Sequence, residues 1–593
     1  MIDNSFNEIV CFSPFGGQLI REEVKGTLAG RAEPENVLET KGGSERDMFV
    51  YVPASGCPDA KQCQVLMVLR GEGSEASARE AMETYGLDKL AEEKHFILAF
   101  PNPTEKGWNY TAAADGEDDM DYLSRCFMTL PTGQGKVGGF IGMIYYVGLT
   151  PEASALLMTM SAVKPTNVAA IMLSGLPAGY AIPAGPEAPQ NAWVCGSIPA
   201  AAAYLEKVNG TAGQAGETVE GRKVFTSPAN SNVRHVLSAE PLSAKEIALA
   251  WDVLLSETRR WANDTYGTYQ RRTDFAQRGF IAHVNDTSLG VNNGYAHTWY
   301  EYVPPQLRGS KEKAPLLFYF HGIGCVPLYG AEQSGWHDIA DKEGFIVVYP
   351  KPATNKMWNV WDEPILPSDH AFVLALVDHM KKTYPIDESR IYISGFSMGG
   401  MMTHSLACAY PDIFAAAAPC NAYNAGYLNR IGSVVGTPVA RNVKVPVGHL
   451  NEVSKTKRKA DAKKGAYDYR MPIFQNTGLL DGKWPVSTEG PDFMDRLATF
   501  SYWKAYNNIP DEPVEPISQY ESGLKAPETF YDCEDERFLH HRWFSEDEGH
   551  PALFEMVLAK RMPHALDLRQ LELAWAYIRR FARDPDGSLR VIE

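Results

Sequence analysis

A chain of 593 residues, 45% hydrophobic and 22% charged, is long enough for more than one packed core and has the composition of an ordinary folded protein. Its formal net charge of −17 excludes nucleic acid as a main partner. No apolar run reaches the length that crosses a bilayer, so no membrane partner is expected either.

The opening Met1-Ile2-Asp3-Asn4-Ser5-Phe6-Asn7-Glu8 is polar and acidic, without the basic and apolar regions of an export signal, and a cytoplasmic location is expected. Residues 1–45 read as an N-terminal arm. From 46 to 265 apolar runs of strand length alternate with amphipathic segments of helix length, the pattern of βα units on a mostly parallel sheet. The landmarks are Phe49–Pro53, Val65–Gly71, Phe96–Pro101, Trp108-Asn109 and Ile144–Thr150. Nine cysteines show no metal-type spacing and are expected to be free thiols. Cys57 and Cys63 would close a small loop only in an oxidising compartment.

The same landmarks recur, in the same order, in residues 266–593. Tyr300–Pro304, Leu316–Gly322, Phe345–Pro350, Trp358-Asn359 and Ile391–Ser397 echo the five above, which predicts a tandem repeat of one α/β unit. The polar stretch Ala262–Thr268 marks the boundary, and no long flexible linker follows it. The copies differ where chemistry would reside. The second ends its run in Gly395-Phe396-Ser397-Met398-Gly399-Gly400, a G-x-S-x-G between a strand and a helix, which predicts a nucleophile elbow at Ser397. The first has Thr150-Pro151-Glu152-Ala153 there, and proline has no N–H to offer an oxyanion. Arg70 also stands where the second copy has His321. The first copy is expected to have lost its chemistry.

A serine nucleophile of this kind needs an acid and then a histidine further along the chain. Asp481 lies just beyond the strand-like Met471–Asn476, on the side of a parallel sheet where the elbow opens, and is the predicted orienting carboxylate. His564 lies between the strand-like Val557–Ala559 and the helix around Leu571–Trp575, and is the predicted base; His540, His541 and His550 compete for that role. The oxyanion donors are expected from the N–H of Met398 and from the loop after Leu316–Phe320, at Ile323 first and Gly324 second. His321 is expected to shape that loop or line the site, and Cys325 to be structural.

At these residues the second half resembles the polyhydroxybutyrate-depolymerase and feruloyl-esterase group of α/β-hydrolases. The resemblance rests on His321-Gly322, Ser334-Gly335-Trp336, Trp358-Asn359-Val360-Trp361, Tyr384-Pro385-Ile386-Asp387, the elbow, and Tyr410-Pro411-Asp412. It covers roughly residues 295–420 well, and the regions of Asp481 and His564 more loosely. It implies two α/β-hydrolase-like sheets flanked by helices. It also implies a serine esterase acting through an acyl-enzyme on a small or oligomeric ester, without a cofactor or metal. Trp358, Asn359 and Trp361 would then contact substrate.

Two insertions are expected to build the pocket. One is a lid over residues 421–469 that carries Lys455, Lys457, Arg458, Lys459, Lys463 and Lys464; the other spans Pro491–Arg542, with Phe500–Trp503 in a packed helix. A serine peptidase, an acyltransferase or a binding protein with a vestigial site remain alternatives, and a homo-oligomer is compatible with the sequence.

Overall fold

The computed structural model describes residues 8–24, 46–55, 63–111, 118–132, 139–140, 142–354, 357–362, 364–424, 427–428, 443–444, 469–481, 496–510, 524–532 and 535–592. The chain divides into two compact units, Met1–Thr273 and Asp274–Glu593, a little beyond the polar stretch Ala262–Thr268.

The first unit holds an eleven-stranded mixed sheet. Six strands run parallel through its middle, in the spatial order Ile97–Pro101, Val65–Leu69, Ile144–Gly148, Ala170–Leu173, Asn191–Cys195 and Arg234–Ser238. Antiparallel strands flank them on both sides. Two of these, Glu8–Phe12 and Gln18–Val24, fall in the stretch expected to be an arm, and they pair into the sheet beside Arg46–Val52.

The second unit repeats the plan in a ten-stranded sheet. Its parallel strands follow the order Ile346–Pro350, Ala314–Phe320, Ile386–Phe396, Ala416–Cys420, Ile473–Gly478 and Ala552–Ala559. The antiparallel strands His297–Tyr302 and Ile281–Asp286 close one edge, and Phe538–Phe544 and Glu528–Asp532 the other. In each half the four strand landmarks occupy corresponding places in the sheet, whereas Trp108-Asn109 and Trp358-Asn359 lie in loops, and both units are α/β sheets, parallel through the middle and flanked by helices. The central strands are buried along their whole length, as in Ala314–Phe320, because helices cover both faces of a parallel sheet.

The expected lid lies almost wholly outside the described residues, as do its lysines and arginine; within it a short pair joins Tyr427–Leu428 to Val443–Lys444. Part of the Pro491–Arg542 insertion also lies outside them. The helix Arg496–Tyr506 is seen, with Phe500, Tyr502 and Trp503 buried. The expectation of free cysteines is corrected at one position: Cys63 is disulfide-bonded, to a partner outside the described residues. Among the described residues six others, Cys325 included, form no disulfide. No helix among the described residues is long and apolar enough to cross a membrane.

Candidate active site

Ser397 stands at the turn between the strand Ile386–Phe396 and the helix Met398–Ala409, with φ 55° and ψ −119°. Positive φ is costly for a residue with a Cβ, of order 1–3 kcal/mol, and persists only where the surroundings impose it. Here the two motif glycines impose it. A Cβ on Gly395 would lie 2.3 Å from the Gly399 carbonyl oxygen, and one on Gly399 would lie 1.9 Å from that of Phe320. Strand, turn and helix therefore approach more closely than any larger residue permits. Gly399→Ala is expected to destabilise the second unit by about 3 kcal/mol, read by urea unfolding, because backbone rather than a flexible side chain must yield.

The loop after Ala314–Phe320 runs back over the elbow: a Cβ on Gly322 would be 3.5 Å from Ser397 Cβ. The Cys325 N–H donates to the Gly322 carbonyl at 3.2 Å, closing a turn with Ile323 and Gly324 at its centre. Gly324, at φ 67°, supplies the left-handed position. Closing that turn uses neither the Ile323 nor the Gly324 N–H. At the other side, Met398 opens the helix, where backbone N–H groups lack intrahelical acceptors.

Asp481 and His564 meet across neighbouring parallel strands. Ile473–Gly478 pairs with Ala552–Ala559 up to Gly478 beside Ala559, and each residue sits a few positions beyond its strand's end. Gly478 allows this, since a Cβ there would lie 2.1 Å from the Met562 carbonyl oxygen. His564 Nδ1 is 3.0 Å from Asp481 Oδ2. The imidazole rests against Phe396, the residue before Ser397, with ring centroids 4.7 Å apart. Burial raises the pKa of Asp481, but the hydrogen bond and charge of His564, the Asn421 amide and the Arg496 charge outweigh it, and the carboxyl sits below its ordinary 3.8. Asn421 Nδ2 donates to Asp481 Oδ2 at 2.6 Å, and Arg496 Nη2 donates to the Asp481 backbone carbonyl at 2.6 Å.

The competing histidines are engaged elsewhere. His540 Nδ1 is 2.7 Å from Glu555 Oε1, and His550 Nδ1 is 3.2 Å from the Ser545 carbonyl. Burial pushes His541 down to about 3. Of the expected substrate contacts, Trp358, Asn359 and His321 are buried side chains that brace the loops. Trp358 Nε1 donates to the His321 carbonyl at 2.8 Å, and His321 Nδ1 lies 2.9 Å from the Gly322 carbonyl. The Asn359 N–H donates to Asp369 Oδ2 at 2.7 Å, while Asp369 Oδ1 accepts from the Ala353 N–H at 2.9 Å. Burial pushes Asp369 up to about 7 against the pull of those two donors. Trp361 is half-buried against the core. Asn421, Arg496 and Asp369 were not singled out from sequence. Asn421 had a positional signal, standing immediately after the parallel strand Ala416–Cys420.

The first unit keeps the bracing without the elbow. Trp108 Nε1 donates to the Arg70 carbonyl at 2.6 Å, and the Asn109 N–H donates to Asp119 Oδ2 at 2.6 Å. Thr150, however, is relaxed at φ −121° and ψ 161°, and serves as an ordinary helix cap with Pro151 behind it.

Comparison with known proteins finds similarity over part of the chain. The sequence pattern of the family described as esterase PHB depolymerase matches residues 297–427. A bifunctional acetylxylan esterase/xylanase of Neocallimastix patriciarum is 41% identical over 111 residues, covering 19% of this chain and 16% of that protein. Poly(3-hydroxyalkanoate) depolymerase C of Paucimonas lemoignei is 36% identical over 142 residues, 22% of this chain and 33% of its own. Feruloyl esterase B of Neurospora crassa is 32% identical over 148 residues, 24% of this chain and 50% of its own. The chain thus spans half or less of the length of these relatives. Residues 297–427, which carry the loop after Ala314–Phe320 and the Ser397 elbow, are the part of this chain that matches the esterase PHB depolymerase family.

Proposed function

We propose that the second unit is a serine carboxylic-ester hydrolase working through an acyl-enzyme. The observation that carries the reading is the 3.0 Å His564–Asp481 hydrogen bond, held against Phe396 beside a serine at φ 55°. In this reading Ser397 Oγ attacks the ester carbonyl as His564 Nε2 takes its proton. The tetrahedral oxyanion is met by the N–H groups of Met398 and of Ile323 or Gly324. Collapse expels the alcohol, protonated by His564, and water then repeats the cycle on the acyl-serine. Asp481 holds the imidazole tautomer and stabilises the imidazolium. No step calls for a metal or cofactor.

The substrate class is an acetyl, feruloyl or short hydroxyacid ester, in keeping with the relatives' names. A fluorophosphonate probe is expected to label Ser397, and the protein to cleave p-nitrophenyl acetate, methyl ferulate or a 3-hydroxybutyrate oligomer. Hydrolysis of p-nitroanilide peptides with no ester cleavage would replace this reading with a peptidase.

We further propose that the first unit is a duplicated copy without chemistry. Thr150→Ala is expected to leave ester turnover within about twofold, since Thr150 caps a helix of the first unit and has no part in the proposed reaction. The same variant should cost the first unit about 1 kcal/mol through its lost helix cap. The Cys63 disulfide favours an oxidising compartment over the expected cytoplasm. Alkylation before and after reduction, read by peptide mass spectrometry, should modify Cys63 only after reduction.

A further inference from the structure

Far from the elbow in sequence, the edge of the second sheet gathers two histidines around one buried glutamate. In the pairing of Ile281–Asp286 with His297–Tyr302, His283 stands opposite Trp299. Glu301 lies two residues beyond Trp299 and so on the same face, diagonal to His283. The helix Asp369–Thr383 covers that face: Phe372 packs on Trp299, and His379, two turns on, reaches Glu301.

The geometry is compact. His283 Nε2 and His379 Nε2 each lie 3.2 Å from Glu301 Oε1, and the three donor atoms fall within 4.8 Å of one another. Glu301 is 1% exposed, whereas the two imidazoles are about one-quarter exposed, which leaves a path from solvent. The His283 ring is clamped flat on Trp299, with centroids 4.2 Å apart and planes 4° apart.

Hydrogen bonds alone account poorly for this cluster. Trp299 Nε1 already donates to Glu301 Oε1 at 2.8 Å, and the Tyr384 hydroxyl donates to Oε2 at 2.7 Å. One carboxylate oxygen has two lone-pair sites, so Oε1 cannot also accept two imidazole N–H groups well. His283 Nε2 is indeed buried without a hydrogen bond among the described residues, although it is 3.2 Å from Oε1. Its other nitrogen, Nδ1, lies 3.5 Å from Asp286 Oδ2. A proton on Nδ1 facing that carboxylate leaves the Nε2 lone pair turned toward Glu301, the arrangement found in metal-ligating histidines.

We propose that His283, His379 and Glu301 bind a divalent transition-metal ion of the zinc class. With ligand bonds of about 2.0–2.2 Å, neighbouring donors in a tetrahedral site stand about 3.3–3.5 Å apart, near the 3.2 Å spacings seen. Two imidazoles and one carboxylate suit such an ion, and water would fill the remaining position. Trp299 and Tyr384 orient the carboxylate from behind. The ion would tie the edge strand Ile281–Asp286 to the helix that starts at Asp369, the residue anchoring the Asn359 loop. Its role is structural.

The test uses untagged full-length protein, stripped with a chelator and titrated with Zn²⁺ alone. Wild type is expected to bind one more equivalent, by elemental analysis after dialysis, than a His283→Ala/His379→Ala variant. Its Tm should rise by about 5 °C at a hundredfold excess over Kd, a shift the variant lacks. Asp286→Asn, a gentler change, should weaken Zn²⁺ binding about tenfold. Co²⁺ added to the stripped wild type should give the visible bands of a tetrahedral site, a readout independent of any variant. Equal stoichiometry in wild type and variant, or a wild type with neither Tm shift nor Co²⁺ bands, would overturn the site in favour of a protonated histidine pair.

Discussion

Ser397→Ala is expected to lower kcat/KM for p-nitrophenyl acetate by about 10⁴–10⁶-fold, the scale on which removing a serine nucleophile acts. At ~1.4 kcal/mol per factor of ten this is roughly 5–8 kcal/mol of lost transition-state stabilisation. Among the described residues, a nearby thiol and a nearby hydroxyl are held by other groups. Cys325 Sγ points to its own loop, 3.5 Å from the Ile323 carbonyl, and Thr403 Oγ1 donates to the Gly399 carbonyl at 2.9 Å. KM should change little, because the Oγ atom contributes to the transition state more than to binding. Stability should barely move, since alanine meets the same φ of 55° as serine. Ser397→Gly separates the two properties. It should be equally inactive yet more stable by about 1 kcal/mol, as glycine tolerates the left-handed turn. Residual turnover above about 1% of wild type in either variant would place the nucleophile elsewhere.

Asp481→Asn is expected to reduce kcat by about 10⁴-fold while the fold survives. Asp481 Oδ2 accepts from both His564 Nδ1 and Asn421 Nδ2. An asparagine with its carbonyl oxygen in the Oδ2 place still accepts from both, but it lacks the charge that stabilises the imidazolium. With its NH₂ in that place instead, it donates to His564 Nδ1 and leaves the proton on Nε2, where no general base is available for Ser397. Asn421→Ala should cost far less, about tenfold, because it removes support from the carboxylate without removing the charge.

The same residue sets a pH dependence of stability. The folded carboxyl titrates below its ordinary 3.8, so its contribution is present above that value and is lost as pH falls through the lower, folded one. Acid unfolding of wild type should therefore steepen below about pH 4. In Asp481→Asn that part of the acid limb should be missing, as followed by far-UV circular dichroism.

Much of this site was legible because its parts are local or ordered along the chain. The elbow announces itself through Gly395, Ser397 and Gly399, three residues of one turn. Asp481 and His564 follow from the rule that parallel strands deliver their next residues to one edge, and the pairing of Gly478 with Ala559 fulfils it. Burial was harder to judge. Trp358, expected to contact substrate, is a buried strut under the His321 carbonyl. A tryptophan's sequence neighbours do not reveal whether its ring faces a core or a cleft. Asn421 and Arg496 were invisible for a related reason, as each is tied to Asp481 only by the closing of distant loops.

By itself, then, the chain's sequence determined the strand plan, the strained serine, the places of Asp481 and His564 beyond later strands and the relaxed turn at Thr150. All four rest on backbone requirements such as glycine's missing Cβ, proline's missing N–H and the length of apolar runs. Only the tertiary structure decided which polar groups share a site. It brought Asn421 to Asp481, and His283 and His379 to Glu301, since such meetings depend on register across a sheet and on which face a helix covers. Those are properties of packing, set by contacts between residues far apart in the chain.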